Sequence, residues 1–153
     1  MFINRVCDAL SKAKVPYAVV GGYAVAMHGV IRGTVDVDIV IHWTLKNLER
    51  LEDALKEIGL VSLIPINSKN LFHFRKEYIE KRNLIAWNFY DPKNPLNQVD
   101  IVITYDLKNK RVKTINTEDG KVRILSREDL IKMKKASGRP QDLEDVNALV
   151  NLS

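Results

Sequence analysis

The chain has 153 residues, 46% of them apolar, enough to bury one core without disulfide or metal staples, so one domain spanning 1–153 is expected. A single cysteine, Cys7, excludes an internal disulfide and a multi-cysteine zinc site, and no apolar run approaches the ~18 residues of a membrane span, so a cytoplasmic protein with no membrane partner is expected. The net charge of +5 suits a phosphate-bearing partner without identifying one, and an equal balance is reached between Lys121 and Arg139 alone, where seven basic residues face two acidic ones.

Phe2, Val6, Ala9, Leu10 and Ala13 recur at helical spacing, which predicts an N-terminal amphipathic helix with Cys7 as a core thiol; nothing in it looks like a signal-peptide core. Val15-Pro16 stops that helix ahead of a short buried strand, Tyr17 to Val20. Gly21-Gly22 breaks the strand, and Tyr23 to His28 can form a short helix closed by Gly29. Val35 to Ile41 alternates and is rich in β-branched residues, so it reads as a strand. Leu48, Leu51, Leu55 and Ile58 mark a helix with Thr44 as N-cap and Gly59 past its end. Leu60–Ile64 and Leu84–Tyr90 read as strands, whereas Leu71 to Arg82 fits a strand, a short helix, or both in turn. Residues 91–95 read as a loop feeding a strand over 98–103, and Lys121–Leu125 reads as a further strand. Ser126 with Asp129 resembles a capping box opening a helix from Arg127 to about Ala136, and Gly138-Arg139-Pro140 separates it from a last helix.

Asp36 and Asp38 are two apart in their strand, so both carboxylates leave one face while Val35, Val37, Ile39 and Ile41 point to the other. Adjacent carboxylates raise each other's pKa unless a cation neutralises them, which hard Mg²⁺ does well with oxygen ligands. Aspartate is disfavoured in strands, yet Asp100 sits in the equally apolar run Val99 to Ile103. If the two strands are neighbours, the three carboxylates can converge on one metal or a metal pair suited to in-line displacement. Gly21-Gly22, between a strand and a helix, lets backbone N–H groups approach a phosphate closely, though such a pair also simply makes tight turns. It matches neither the dinucleotide fingerprint nor a P-loop.

Gly21-Gly22, a short helix, Arg32-Gly33-Thr34, Asp36-Val37-Asp38 and Asp100 on a later strand, in that order, resemble the nucleotidyltransferase superfamily of the DNA polymerase β type. Its pattern is a Gly-Gly or Gly-Ser turn followed by Asp-x-Asp or Asp-x-Glu. His28-Gly29 and the tail from Leu130 to Asp142 look like the small prokaryotic members related to toxin–antitoxin and abortive-infection systems; only about Leu60 to Asn97 adds nothing to the resemblance. The resemblance implies an α/β (α+β) fold, a small mixed twisted sheet with helices packed on one face and the carboxylates at an exposed edge. It implies that Asp36, Asp38 and Asp100 are catalytic and hold Mg²⁺, two ions, with Mn²⁺ as a substitute, and that Asp100 doubles as general base. Gly21 and Gly22 would cradle the triphosphate, joined by Arg32 and Thr34. Lys134 and Arg139 would supply charge from the C-terminal helices, 127–150. Asp142 and Asp145 are expected to orient Arg139 or cap the last helix, and His28, without metal-ligand spacing to His42 or His73, to be structural at a helix end.

The leading expectation is transfer of a nucleoside monophosphate from an NTP, ATP first among them, to a hydroxyl of an unidentified acceptor, with pyrophosphate released. The rival is a catalytically weak or silent antitoxin-like module acting through a partner protein encoded nearby. An RNA acceptor ranks below both, because no basic patch is interleaved with aromatics. Hydrolase readings fail for want of Gly-x-Ser-x-Gly, His-Glu-x-x-His or Cys-x-x-Cys.

Overall fold

A computed structural model describes residues 1–34 and 36–152, among which the chain forms seven helices and seven strands. Helix α1 (Phe2–Lys12) buries Ile3, Val6, Cys7 and Leu10, the face its periodicity marks. Strand β1 (Tyr17–Val20) is buried throughout. Helix α2 (Gly21–Met27) begins on the first glycine and not at Tyr23, because Gly21 at φ +66° turns the chain directly from strand into helix. Strand β2 (Val37–Ile41) is shorter than its sequence pattern: Asp36 stands in a bend before it, and Val35 lies outside the described residues.

Helix α3 (Leu45–Glu57) is capped by Thr44, whose hydroxyl accepts from the Asn47 N–H at 3.1 Å, and it ends before Gly59 as the sequence predicts. Strand β3 is reduced to Val61–Ser62. The ambiguous stretch resolves into two helices, α4 (Ser68–His73) and α5 (Arg75–Arg82), the second stopped by Asn83 in the left-handed region at φ +53°. The loop expected over 91–95 is a two-residue hairpin turn joining β4 (Ala86–Asp91) to β5 (Asn94–Val102). Pro95 is tolerated there because that end of β5 is exposed. Strand β6 (Val112–Thr117), absent from the sequence reading, pairs with β7 (Gly120–Leu125). Helices α6 (Arg127–Ser137) and α7 (Pro140–Val150) follow, with Ser126 accepting from the Asp129 N–H at the start of α6.

The strands form one mixed sheet in the order β3-β4-β5-β2-β1-β7-β6. Strands β2 and β5 are parallel neighbours, as are β1 and β7, and the remaining pairs are antiparallel. Register sorts the side chains by face. Tyr17, Val19, Val37, Ile39, Ile41, Val99, Ile101, Trp87 and Phe89 share one face and are all buried. The Tyr17 hydroxyl meets Cys7 and Ser11 of α1, which places α1, with α3 packed beside it, over that face. The opposite face carries Val20, Asp38, Asp100, Val102, Asn88 and Ala86, and α6 borders it. Asp38 and Asp100 therefore sit on adjacent interior strands, reached from an open face, and not at a sheet edge.

Candidate functional site

Asp38 and Asp100 are register partners on β2 and β5, flanked by Val37↔Val99 and Ile39↔Ile101. In a parallel pair in register, side chains at partner positions stand side by side on one face about 4.8 Å apart. The apolar residues on either side fix that register, because a slip of either strand by one residue would turn its acid into the core. Burial is the largest influence on Asp38, followed by the charges of Asp100 and then Asp36. Together they push its pKa up to about 7, against the opposing pull of Lys134 and Arg139. Asn88 on β4, the register partner of Asp100, donates its side-chain N–H to the Asp100 carboxylate at 2.8 Å and to Gln98 Oε1 at 3.1 Å.

The three predicted acids are not gathered equally. Asp38 and Asp100 are set by the ladder, whereas Asp36 precedes β2, is exposed, and bears on Asp38 through its charge. Among the described residues no three His, Cys, Asp or Glu side chains close into a finished metal cage. The chemistry of the donor set nonetheless suits a divalent cation: hard oxygens of carboxylates, one of which has its pKa raised by burial first and by like charge second.

Gly21 lies directly against this pair. A β-carbon on it would overlap the Asp38 carboxylate, coming within 2.8 Å of its Cγ. Gly22 is tight for another reason: a β-carbon there would stand 2.5 Å from Arg32 Nη1 and 2.6 Å from Thr34 Oγ1. The predicted residues Gly22, Arg32 and Thr34 are thus packed together behind the turn. Gly21, Asp38, Asp100, Lys134 and Arg139 line one cleft of about 370 Å³ with Val20, Ala86, Val102, Leu130 and Met133 as its apolar walls.

The two predicted cations behave differently. Lys134, 7% exposed, is held between Asp145 at 2.9 Å and Asp142 at 3.6 Å. Arg139 is exposed and its Nε donates to Asp142 at 2.8 Å. Burial works against the charge of Asp142, but bonds from the Arg139 side chain and backbone, with the charge of Lys134, outweigh it and hold its carboxyl below the usual range. Asp142 therefore orients Arg139 and caps α7, as expected, whereas Asp145 does something else: it receives Arg32 Nε at 3.3 Å. His28 ends α2, and its Nε2 lies 2.8 Å from the Leu125 carbonyl, to which it must donate, which makes it structural as expected. Sequence reasoning missed Asn88 and the role of Asp145. The only signal for Asn88 was an asparagine inside an apolar strand, where that residue is disfavoured.

The family described as nucleotidyltransferase of unknown function (DUF6036) matches residues 2–151. The chain belongs to this nucleotidyltransferase family. Comparison with curated protein sequences finds no match. Among solved structures, similarity extends to an antigenic nucleotidyltransferase-like protein from Paracoccidioides brasiliensis, at 21% identity and a TM-score of 0.63, covering 99% of this chain and 74% of that one. It extends also to the lincosamide antibiotic adenylyltransferase LnuA bound to lincomycin, at 16% identity and a TM-score of 0.59, covering 95% of this chain and 92% of that one. A third is ANT(2'')-Ia in complex with adenylyl-2''-tobramycin, at 14% identity and a TM-score of 0.61, covering 96% and 84%. At these identities the likeness is one of fold. Among the described residues no helix is long and apolar enough to cross a membrane.

Proposed function

We propose that this nucleotidyltransferase moves a nucleoside monophosphate from an NTP, ATP first, to a hydroxyl of an acceptor. The acceptor oxygen forms a bond to the α-phosphorus, the bond from that phosphorus to the bridging oxygen breaks, and pyrophosphate leaves. The observation that carries this reading is the pairing of Asp38 with Asp100 in a cleft that also holds the Gly21 turn, Lys134 and Arg139. Asp38 and Asp100, with Asp36, would hold Mg²⁺. When bound, that cation neutralises the carboxylates and stabilises charge on the transferring and leaving oxygens.

The chain's own groups account for the remaining work. Asp100, which accepts a hydrogen bond from Asn88, would take the acceptor hydroxyl's proton. The Gly21 backbone admits a phosphate without a side chain in the way. Arg139 and Lys134 bring positive charge to the cleft, and preorganised charge of this kind needs no rearrangement at the moment of reaction. The structures bound to lincomycin and to adenylyl-2''-tobramycin support small hydroxyl-bearing acceptors as the first class to screen.

The test is calorimetric titration of the four NTPs with Mg²⁺ on the wild type and on Asp38→Asn. Metal-dependent binding lost in the variant is expected, followed by labelling of an acceptor with radioactive nucleotide. A folded wild type that binds no NTP would end this reading in favour of a module that acts through a partner protein.

A further inference from the structure

Asp142 is the α7 residue that lines the cleft; Asp145, one turn further along α7 and far along the chain from the glycine turn, lies behind it. Asp145 is 3% exposed and makes three contacts: Arg32 Nε at 3.3 Å, Lys134 Nζ at 2.9 Å, and the Gln141 side-chain N–H at 3.1 Å. One carboxylate thus joins the loop after α2, the last turn of α6 and the first turns of α7. A charge this buried is costly unless it is paired, and here two cations pair it.

The consequence falls on Arg32. With Nε directed to Asp145, its Nη1 is buried against Gly22 and has no acceptor among the described residues. A buried guanidinium N–H without an acceptor is strongly unfavourable unless something arrives to receive it. The groups beside it are the Gly22 backbone and the Thr34 hydroxyl, at the turn proposed to take the triphosphate. Without its bond to Asp145, Arg32 would be free to rotate into solvent from a loop with no regular structure.

We infer that Asp145 is a positioning residue of the nucleotide site, acting through Arg32 and Lys134 to aim their charges at the phosphate groups. This rests on the nucleotide-binding reading above. It also runs against the simplest electrostatic expectation. If Asp145 merely competed with phosphate for the two cations, removing its charge would tighten nucleotide binding, whereas a positioning role requires binding to weaken.

The experiment compares wild type, Asp145→Asn, Arg32→Gln and the double variant by calorimetry with Mg-ATP and with AMP, and by hydrogen exchange over residues 30–34 without nucleotide. Asp145→Asn should weaken ATP about tenfold and AMP by less than about threefold, since the lost charge-assisted bonds serve the distal phosphates. Arg32→Gln should reproduce that loss, the double variant should add little to either, and exchange at 30–34 should rise in Asp145→Asn. Tighter or unchanged ATP binding in a folded Asp145→Asn, additive losses, or unchanged exchange would each overturn the inference. If Asp145→Asn does not fold, Arg32→Gln alone decides: it must keep the wild-type melting temperature and still lose ATP affinity selectively. If wild type binds no nucleotide, the proposed function fails, and the exchange data still decide whether Asp145 holds Arg32.

Discussion

A β-carbon on Gly21 would occupy the space filled by the Asp38 carboxylate, so the turn and the acid define each other's position. Gly21 also sits at φ +66°, where an L side chain is strained. Gly21→Ala therefore meets two penalties, one in the backbone and one in the side chain of a central-strand acid. The expected loss is about 2–4 kcal/mol in urea denaturation, from the left-handed backbone and the overlap together. Magnesium-dependent nucleotide binding should be lost even where the variant remains folded, because the overlap displaces the Asp38 carboxylate.

Asp38 makes stability depend on pH in a direction opposite to that of a salt-bridged acid. Its pKa is about 7 in the folded protein against an ordinary 3.8, so between those values the folded state holds a proton that the unfolded state has released. The stability it contributes is complete below pH 3.8 and is lost as pH rises through 7. The metal-free protein should lose on the order of 1.4 kcal/mol per pH unit from this group across that window. Thermal denaturation from pH 4 to 8 should show the slope, and Asp38→Asn should flatten it. Millimolar Mg²⁺ should restore stability at pH 8 in wild type and not in the variant.

Much of this site was legible in the sequence because strand chemistry is local. An aspartate in a run such as Val37 to Ile41 or Val99 to Ile103 is conspicuous wherever the strand lies. What could not be read was adjacency. Strand order decides that Asp38 faces Asp100, and nothing local records it. Strand β6 escaped because Val112 and Ile115 are only half-buried on an edge strand, so the alternation that marks a strand is faint. The hairpin at 91–94 escaped because Pro92, Asn94 and Pro95 read as a loop, although the two-residue turn takes Pro92 and the exposed end of β5 accommodates Asn94 and Pro95. Asp145 escaped because its partners, Arg32 and Lys134, come from elements that only the folded chain brings together.

Cys7 should be chemically silent while the protein is folded. It is fully buried, and burial pushes its thiol up to about 11 against the opposing influence of the neighbouring Tyr17, so at pH 8 almost no thiolate is present. Labelling with a thiol-specific disulfide reagent should proceed at the rate of unfolding and become immediate in strong denaturant. Fast labelling of the native protein would show that α1 opens locally from the sheet.

Lys134 is the cation whose loss should be most expensive for the fold. It is buried between Asp142 and Asp145, and it also opposes the charge of Asp38 across the cleft. Lys134→Met keeps the side-chain length but takes one of two cationic partners from each of these carboxylates: Asp142 retains Arg139, and Asp145 retains Arg32. Because each acid keeps one partner, the loss should fall somewhat below that of a fully orphaned buried charge, at about 2–4 kcal/mol. The same variant should push the Asp38 pKa further up, since one of the two cations holding it down is gone. The two effects separate by measurement. Urea denaturation at pH 7 reports the first, and the midpoint of the stability slope with pH, moved to higher pH than in wild type, reports the second. A Lys134→Met protein as stable as wild type would mean that Arg139 or Arg32 takes up the lost pairing by moving inward, and ATP affinity would then fall together with the exposure of Arg139.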